Sequence, residues 1–245
     1  HLWQFLVASM ATVCAARFAP SPALDKFLIV ASTRSAEIMP LDVMKERPNC
    51  WITLPWVPAP AAPTEITCVS VLSLLRASDL IRAFCDALRA TEALARHRRT
   101  SDDVLQSYTA YRWFLVRRAL ERLDGQLFMA EHFDRWAVLV DSVMAVRIKL
   151  QHAPSQNRPA RPELVLVQHG AIGSLTGPGR EVDSGPRLKR RLRCVTTLYV
   201  YDEASERAFK DKVLSRGCLE RGVGVRFFKP AILLEPTAWR GLRRV

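Results

Sequence analysis

Residues 192–228 read as a strand, a short turn, a helix and a second strand. This order constrains the fold more than any other feature. Two successive strands joined through a helix pair in parallel, with a right-handed crossover. Residues 192–201 are rich in β-branched and aromatic side chains, and 223–228 form a similar run. Asp202 is placed to cap the intervening helix over 202–216, whose apolar stripe is Ala208, Phe209, Val213 and Leu214. Gly217 and Gly222 bracket its exit. A further short strand is expected at 164–167, so 163–245 predicts a small βαβ-containing domain.

Upstream, periodicity changes the reading. Residues 2–16, from Leu2 to Ala16, are a charge-free and mostly apolar run that predicts a buried helix, with a membrane anchor or a leftover targeting segment as the alternatives. The chain begins at His1, which reads as a processed form, a fragment or an incomplete reading frame. Phe27-Leu28-Ile29-Val30-Ala31 predicts a buried strand. Residues 40–63 hold six Pro and predict an extended segment that wraps a neighbouring surface through Trp51 and Trp56, so 1–63 is expected to be an extended N-terminal segment.

A three-helix unit is expected over 64–150. Leu72, Leu75, Ile81, Phe84, Cys85 and Leu88 recur at three- and four-residue steps and predict the apolar face of its first helix. The tract 96–99 places cations at that helix's end, and Thr100-Ser101-Asp102-Asp103 is a start signal for the second. The second helix carries Tyr108, Tyr111, Leu115, Ala119 and Leu123 and stops at Asp124-Gly125. The third is expected from Gln126 to Leu150, with Phe133, Trp136, Val140, Val143 and Met144 on one stripe. Residues 151–162 hold three Pro without periodicity and read as a linker. The expected fold class is therefore α+β or α/β, a helical N-terminal region followed by the small βαβ domain.

Charge points to function. The 36 basic residues include only seven Lys, against 24 acidic residues, for a net charge of +12. Guanidinium grips phosphate oxygens in a bidentate fork, so an Arg-heavy surplus fits a polyanionic partner. The surplus is uneven: residues 151–245 carry 18 basic and 9 acidic side chains, whereas 1–150 are nearly balanced. The densest cluster is Arg187, Lys189, Arg190, Arg191 and Arg193, and Arg240, Arg243 and Arg244 follow near Trp239. These eight are the expected phosphate-backbone contacts. The stripe Arg112, Arg117, Arg118 and Arg122 is offset by Asp and Glu and predicts ion pairs.

The run Glu163-Leu-Val-Leu-Val-Gln-His169-Gly170 resembles the strand-then-Arg-His-Gly opening of the histidine phosphatase and phosphoglycerate mutase family. That resemblance implies a His that accepts a phosphoryl group at a strand end. It covers about eight residues; Gln168 stands where the family has Arg, and no His follows His169. Without the resemblance, His169 ends a strand and enters a loop, 169–187, that holds five Gly and two Pro. That loop matches no phosphate-loop spacing. The six Cys form no CxxC pair and His is sparse, so no finger-type metal site is expected, nor any cofactor.

The sequence therefore predicts no catalysis. It predicts a structural RNA-associated subunit of a large ribonucleoprotein, a mitochondrial ribosome or its assembly particle fitting best, with rRNA and neighbouring subunits as partners. A mitochondrial location follows from that function alone. The alternative is a non-catalytic accessory subunit of a mitochondrial respiratory membrane complex.

Overall fold

The structure is a computed structural model and describes residues 24–32, 39–42, 44–58, 62–97, 107–130, 135–151, 163–168 and 191–229. Its frame is seven short strands: β1 (Lys26–Val30), β2 (Cys50–Thr53), β3 (Thr67–Ser70), β4 (Gln126–Met129), β5 (Leu164–Val167), β6 (Thr197–Val200) and β7 (Gly224–Phe227). Five α-helices accompany them: α1 (Ala77–His97), α2 (Ser107–Leu120), α3 (Arg135–Gln151), α4 (Glu203–Lys212) and α5 (Arg216–Glu220), with a 3-10 turn at Val71–Leu74 ahead of α1. All pairings are parallel and the spatial order is β3-β2-β1-β4-β5-β6-β7. The protein is thus an α/β fold around one parallel sheet.

Parallel strands must be covered on both faces, because their connections have to cross back over the sheet. Alternating residues of the five inner strands divide accordingly, while the edge strands β3 and β7 are largely exposed. Phe27, Ile29, Cys50, Ile52, Leu127, Met129, Leu164, Leu166, Leu198 and Val200 join one core cluster with α1, α2, α3, α4 and α5. Leu28, Val30, Trp51, Phe128, Val165, Val167 and Tyr199 join the other, which Met39, Met44 and Phe228 help to seal. All five described helices contribute to the first cluster.

Three of the strands lie where the sequence predicted something else. β4 occupies the start of the expected third helix, which begins at Arg135 instead. β2 lies inside the Pro-rich segment, where Pro48 and Pro55 bracket an apolar run instead of breaking it. β3 falls at the start of the stretch expected to be helical. β4 pairs with β5 through Leu127↔Leu164, so one sheet joins the residues on either side of 151–162. The α/β unit expected after the linker is present as β6, α4 and β7 with parallel pairing. Asp202 caps α4, accepting the Ser205 amide at 2.7 Å.

Helix faces divide in the same way. The α2 stripe Tyr111, Leu115 and Ala119 is fully buried, as are Val140, Val143 and Met144 of α3. α1 does the opposite of its expected pattern. It buries Leu80, Ala83 and Ala87, while Ile81, Cys85 and Leu88 are exposed. The physical reason is α2, which runs antiparallel beside it: Arg118 reaches Asp86 at 2.7 Å and Arg122 reaches Asp79 at 2.6 Å. A face of Ala lets two helix backbones approach closely, and it wins over the bulkier stripe. Of the stripe expected to form ion pairs, Arg117, Arg118 and Arg122 do so, Arg117 on Glu121 at 2.9 Å, while Arg112 lies over the Trp56 ring. Arg147 of α3 lies close to α2's end and donates to the carbonyls of Leu120, Leu123 and Gly125. Its burial pulls the guanidinium down to about 10. No described helix is long and apolar enough to cross a membrane, and 2–16 lie outside the described residues.

Cys50, Cys194 and Cys218 are buried as small core residues. Burial pushes the Cys50 thiol up to about 11, with Cys68 adding to it, and pushes Cys194 up to about 12, with Asp141 adding to it. A thiol whose folded value is raised keeps its proton longer in the folded state. Its contribution is complete below the usual thiol range and is lost as pH rises through the folded value. Stability should therefore fall from about pH 9 upward, by up to ~1.4 kcal/mol per pH unit for each fully titrating group. Arg147 acts with the opposite sign, but only above about 10. Urea midpoints at pH 7.5, 9 and 10 check this: Cys50→Ala should flatten the fall, and an unchanged slope would contradict it.

Candidate ligand crevice at the carboxyl edge of the sheet

Because every strand is parallel, all seven carboxyl ends lie along one edge. From β1 the chain moves outward to β2 and β3; it then returns to place β4 on the other side of β1 and proceeds through β5, β6 and β7. The strand order thus reverses between β1 and β4. The strand order sends the connections leaving these two strands in opposite directions, the arrangement at which open parallel sheets form a crevice outside the carboxyl ends.

Small residues leave the strands at this point. Ala31 and Ser32, both half-buried, follow β1, and the buried Ala130 follows β4. β1 and β4 are tied at their entry by the Gln126 amide on the Asp25 carbonyl at 2.7 Å and run in register from Lys26↔Gln126. Two indoles meet across β1. Trp56, beyond the end of β2, stacks on Trp136, in the first turn of α3, with ring centroids 6.2 Å apart and planes 18° apart. The Arg112 guanidinium of α2 lies 4.9 Å from the Trp56 ring centroid. β2 and β4 are the two neighbours of β1, so this stack bridges the segments on either side of its exit.

The neighbouring exits are closed by internal bonds. Gln168, directly after β5, is fully buried. Its amide donates to the Ser205 hydroxyl at 3.1 Å, and its side-chain oxygen accepts the Tyr201 amide at 2.9 Å. The Tyr201 hydroxyl donates to the Gln168 carbonyl at 3.3 Å. Gln168 therefore locks the ends of β5 and β6 to α4. Asp202 caps α4, and its bonds to Ser205 hold the carboxyl below its usual range. Glu203 and Glu206 add charge in the same turn, so an anion is repelled from this helix start. The reversal of strand order falls between β1 and β4, away from this bonded group.

The basic residues singled out by sequence are mostly not part of this picture. Arg187, Lys189, Arg190, Arg240, Arg243, Arg244 and His169 lie outside the described residues, as does the loop 169–187. Arg191 is exposed. Arg193 is exposed as well but is tied down: its amide donates to buried Asp141 at 2.6 Å, its guanidinium lies 3.6 Å from the same carboxylate, and its carbonyl accepts Arg221. The Cys194 amide donates to Asp141 at 2.8 Å. Sequence reasoning missed the crevice and its Trp pair, because both depend on β4 lying beside β1. Among the described residues no group of three His, Cys, Asp or Glu side chains could hold a metal ion. Comparison with protein-family models, curated proteins and solved structures finds no match.

Proposed function

We propose that this chain binds a phosphate-bearing small molecule, a nucleoside phosphate as its first-choice class, in the crevice between the ends of β1 and β4. The observation that carries the reading is the reversal of strand order between these two strands. Open parallel sheets bind ligands outside the carboxyl ends at such a reversal, and the order 3-2-1-4-5-6 is the one that carries nucleotides. The ligand class rests on that analogy of strand order, and the position of the site rests on the topology itself.

One local feature supports it. Trp56, half-buried beyond the end of β2, has the Arg112 guanidinium 4.9 Å from its ring, a combination suited to a base and its phosphates, while its stacking partner Trp136 is buried in the core. No Gly precedes Gly125, so side chains would have to hold the phosphates, in place of a glycine-rich backbone cradle. In the sequence Ser32 is followed by Thr33, Arg34 and Ser35, which lie outside the described residues.

Calorimetric titration of the full chain with UDP, ADP and NAD tests the proposal. At least one should bind saturably, and Ser32→Trp, which fills the mouth of the crevice, should weaken it at least ~10-fold, about 1.4 kcal/mol. Absence of binding by all three, or binding indifferent to Ser32→Trp, would contradict it. The second reading is the RNA-associated structural subunit, favoured by the basic surplus of 151–245 and the exposure of Arg191. It requires RNA affinity that falls steeply with salt. A flat salt response of the full chain would remove it.

A further inference from the structure

The outer face of α1 is built as a seam. Ser78, Ile81, Cys85, Leu88, Glu92 and Ala95 follow one another at alternating steps of three and four, the spacing of the contact line in a two-stranded coil. All six are exposed. Ile81 is 66% exposed and Leu88 46%, and these are two of only four large apolar side chains so exposed among the described residues. The half-buried Phe84 flanks the seam and packs edge-on against Tyr111. The opposite face of the helix is already used, since Leu80, Ala83 and Ala87 are buried.

One edge of the seam is basic. Arg82, Arg89 and Arg96 stand seven residues apart, each directly after a seam position, so they form a row along a single side. Arg82 has no acidic partner among the described residues. Arg89 and Arg96 hold only surface pairs on their own helix, with Asp86 at 3.5 Å and Glu92 at 2.5 Å. Such pairs contribute little and exchange readily. The other edge offers Ala77, Phe84 and Thr91, which carry no charge.

From this asymmetry we infer that α1 docks an amphipathic helix whose apolar stripe is flanked by acidic residues on one side. A second copy of this chain fits poorly. Antiparallel alignment sets the Arg row against itself, and parallel alignment sets it against Phe84 and Thr91. A bilayer also fits poorly. Glu92 interrupts the apolar line, and the cations lie on one side only, whereas an interfacial helix buries an uninterrupted apolar face. An acidic-edged helix satisfies both the seam and the row.

The test uses the full chain and two synthetic helical peptides with Leu along the seam, one edged with Glu and its twin edged with Lys, read by fluorescence anisotropy. The Glu peptide should bind saturably and the Lys peptide at least ~10-fold more weakly. The double variant Ile81→Ser, Leu88→Ser should lose binding without a change in thermal unfolding, both positions being exposed. The triple variant Arg82→Glu, Arg89→Glu, Arg96→Glu should reverse the preference between the peptides. Three results would overturn the inference. One is failure of the Glu peptide to bind, or equal binding of the two peptides. Another is sedimentation of the wild type as a dimer that the double variant dissociates, which would assign the face to a second copy. The third is flotation with phosphatidylserine vesicles that the double variant abolishes, which would assign it to a membrane.

Discussion

Gly125→Ala is expected to unfold the protein or to cost it about 4 kcal/mol or more, at the far end of what single substitutions do. Gly125 has φ 148°, a backbone that side chains other than Gly rarely adopt. An added Cβ would stand 2.1 Å from the Asp25 carbonyl oxygen, and because that oxygen is backbone it has no rotamer to yield. The same oxygen accepts the Gln126 amide, the bond that starts the β1–β4 pairing. The substitution therefore acts where the two central strands join. Gly222 provides the comparison: its φ is 80° but nothing lies within 4 Å of a Cβ there. Gly222→Ala should cost only the backbone strain, ~1–2 kcal/mol. Urea unfolding of both variants measures the contrast, and similar losses would show that the close approach to Asp25 does not hold.

Asp141→Ala is expected to cost about 3 to 5 kcal/mol, the usual consequence of breaking a buried, charged hydrogen-bond group. Asp141 is 1% exposed on α3 and satisfies the amides of Arg193 and Cys194 just before β6. Without it two amides are stranded at a buried position. It also ties α3 to the segment entering β6, with β5 lying between them in sequence. Asp141→Asn keeps an acceptor oxygen and loses only the charge, so it should retain much of the stability. A loss under ~1 kcal/mol for the Ala variant would mean that the amides find other partners.

How far the sequence foretold the fold follows from what each element displays. β1, β5, β6 and β7 lie in apolar or β-branched runs set off by turn residues, and Asp202 marks the start of α4; these were legible. β2, β3 and β4 are four residues each; β2 and β4, covered on both faces, show no alternation, so a run such as Leu127-Phe128-Met129 reads equally as helix, and β3 is a short, half-exposed edge strand. Pro48 and Pro55 further disguised β2. On α1 two apolar stripes competed, and only the arrival of α2 decided that the Ala side was buried. The crevice was not legible at all, since it exists only because β4 returns to the far side of β1. The Trp56–Trp136 stack joins residues 80 positions apart with no motif to announce them. Arg193 was legible as a cation but not as the neighbour of Asp141.

Backbone amide shifts of the uniformly labelled full chain, followed during titration with whichever of UDP, ADP or NAD binds, test the central claim most directly. If the crevice between β1 and β4 is the site, the largest shifts will fall on Ala31, Ser32 and Ala130 and on the Trp56 indole, with Gln168 and Tyr201 little moved. Shifts that cluster instead on Arg191 to Cys194, with the ends of β1 and β4 silent, would contradict it.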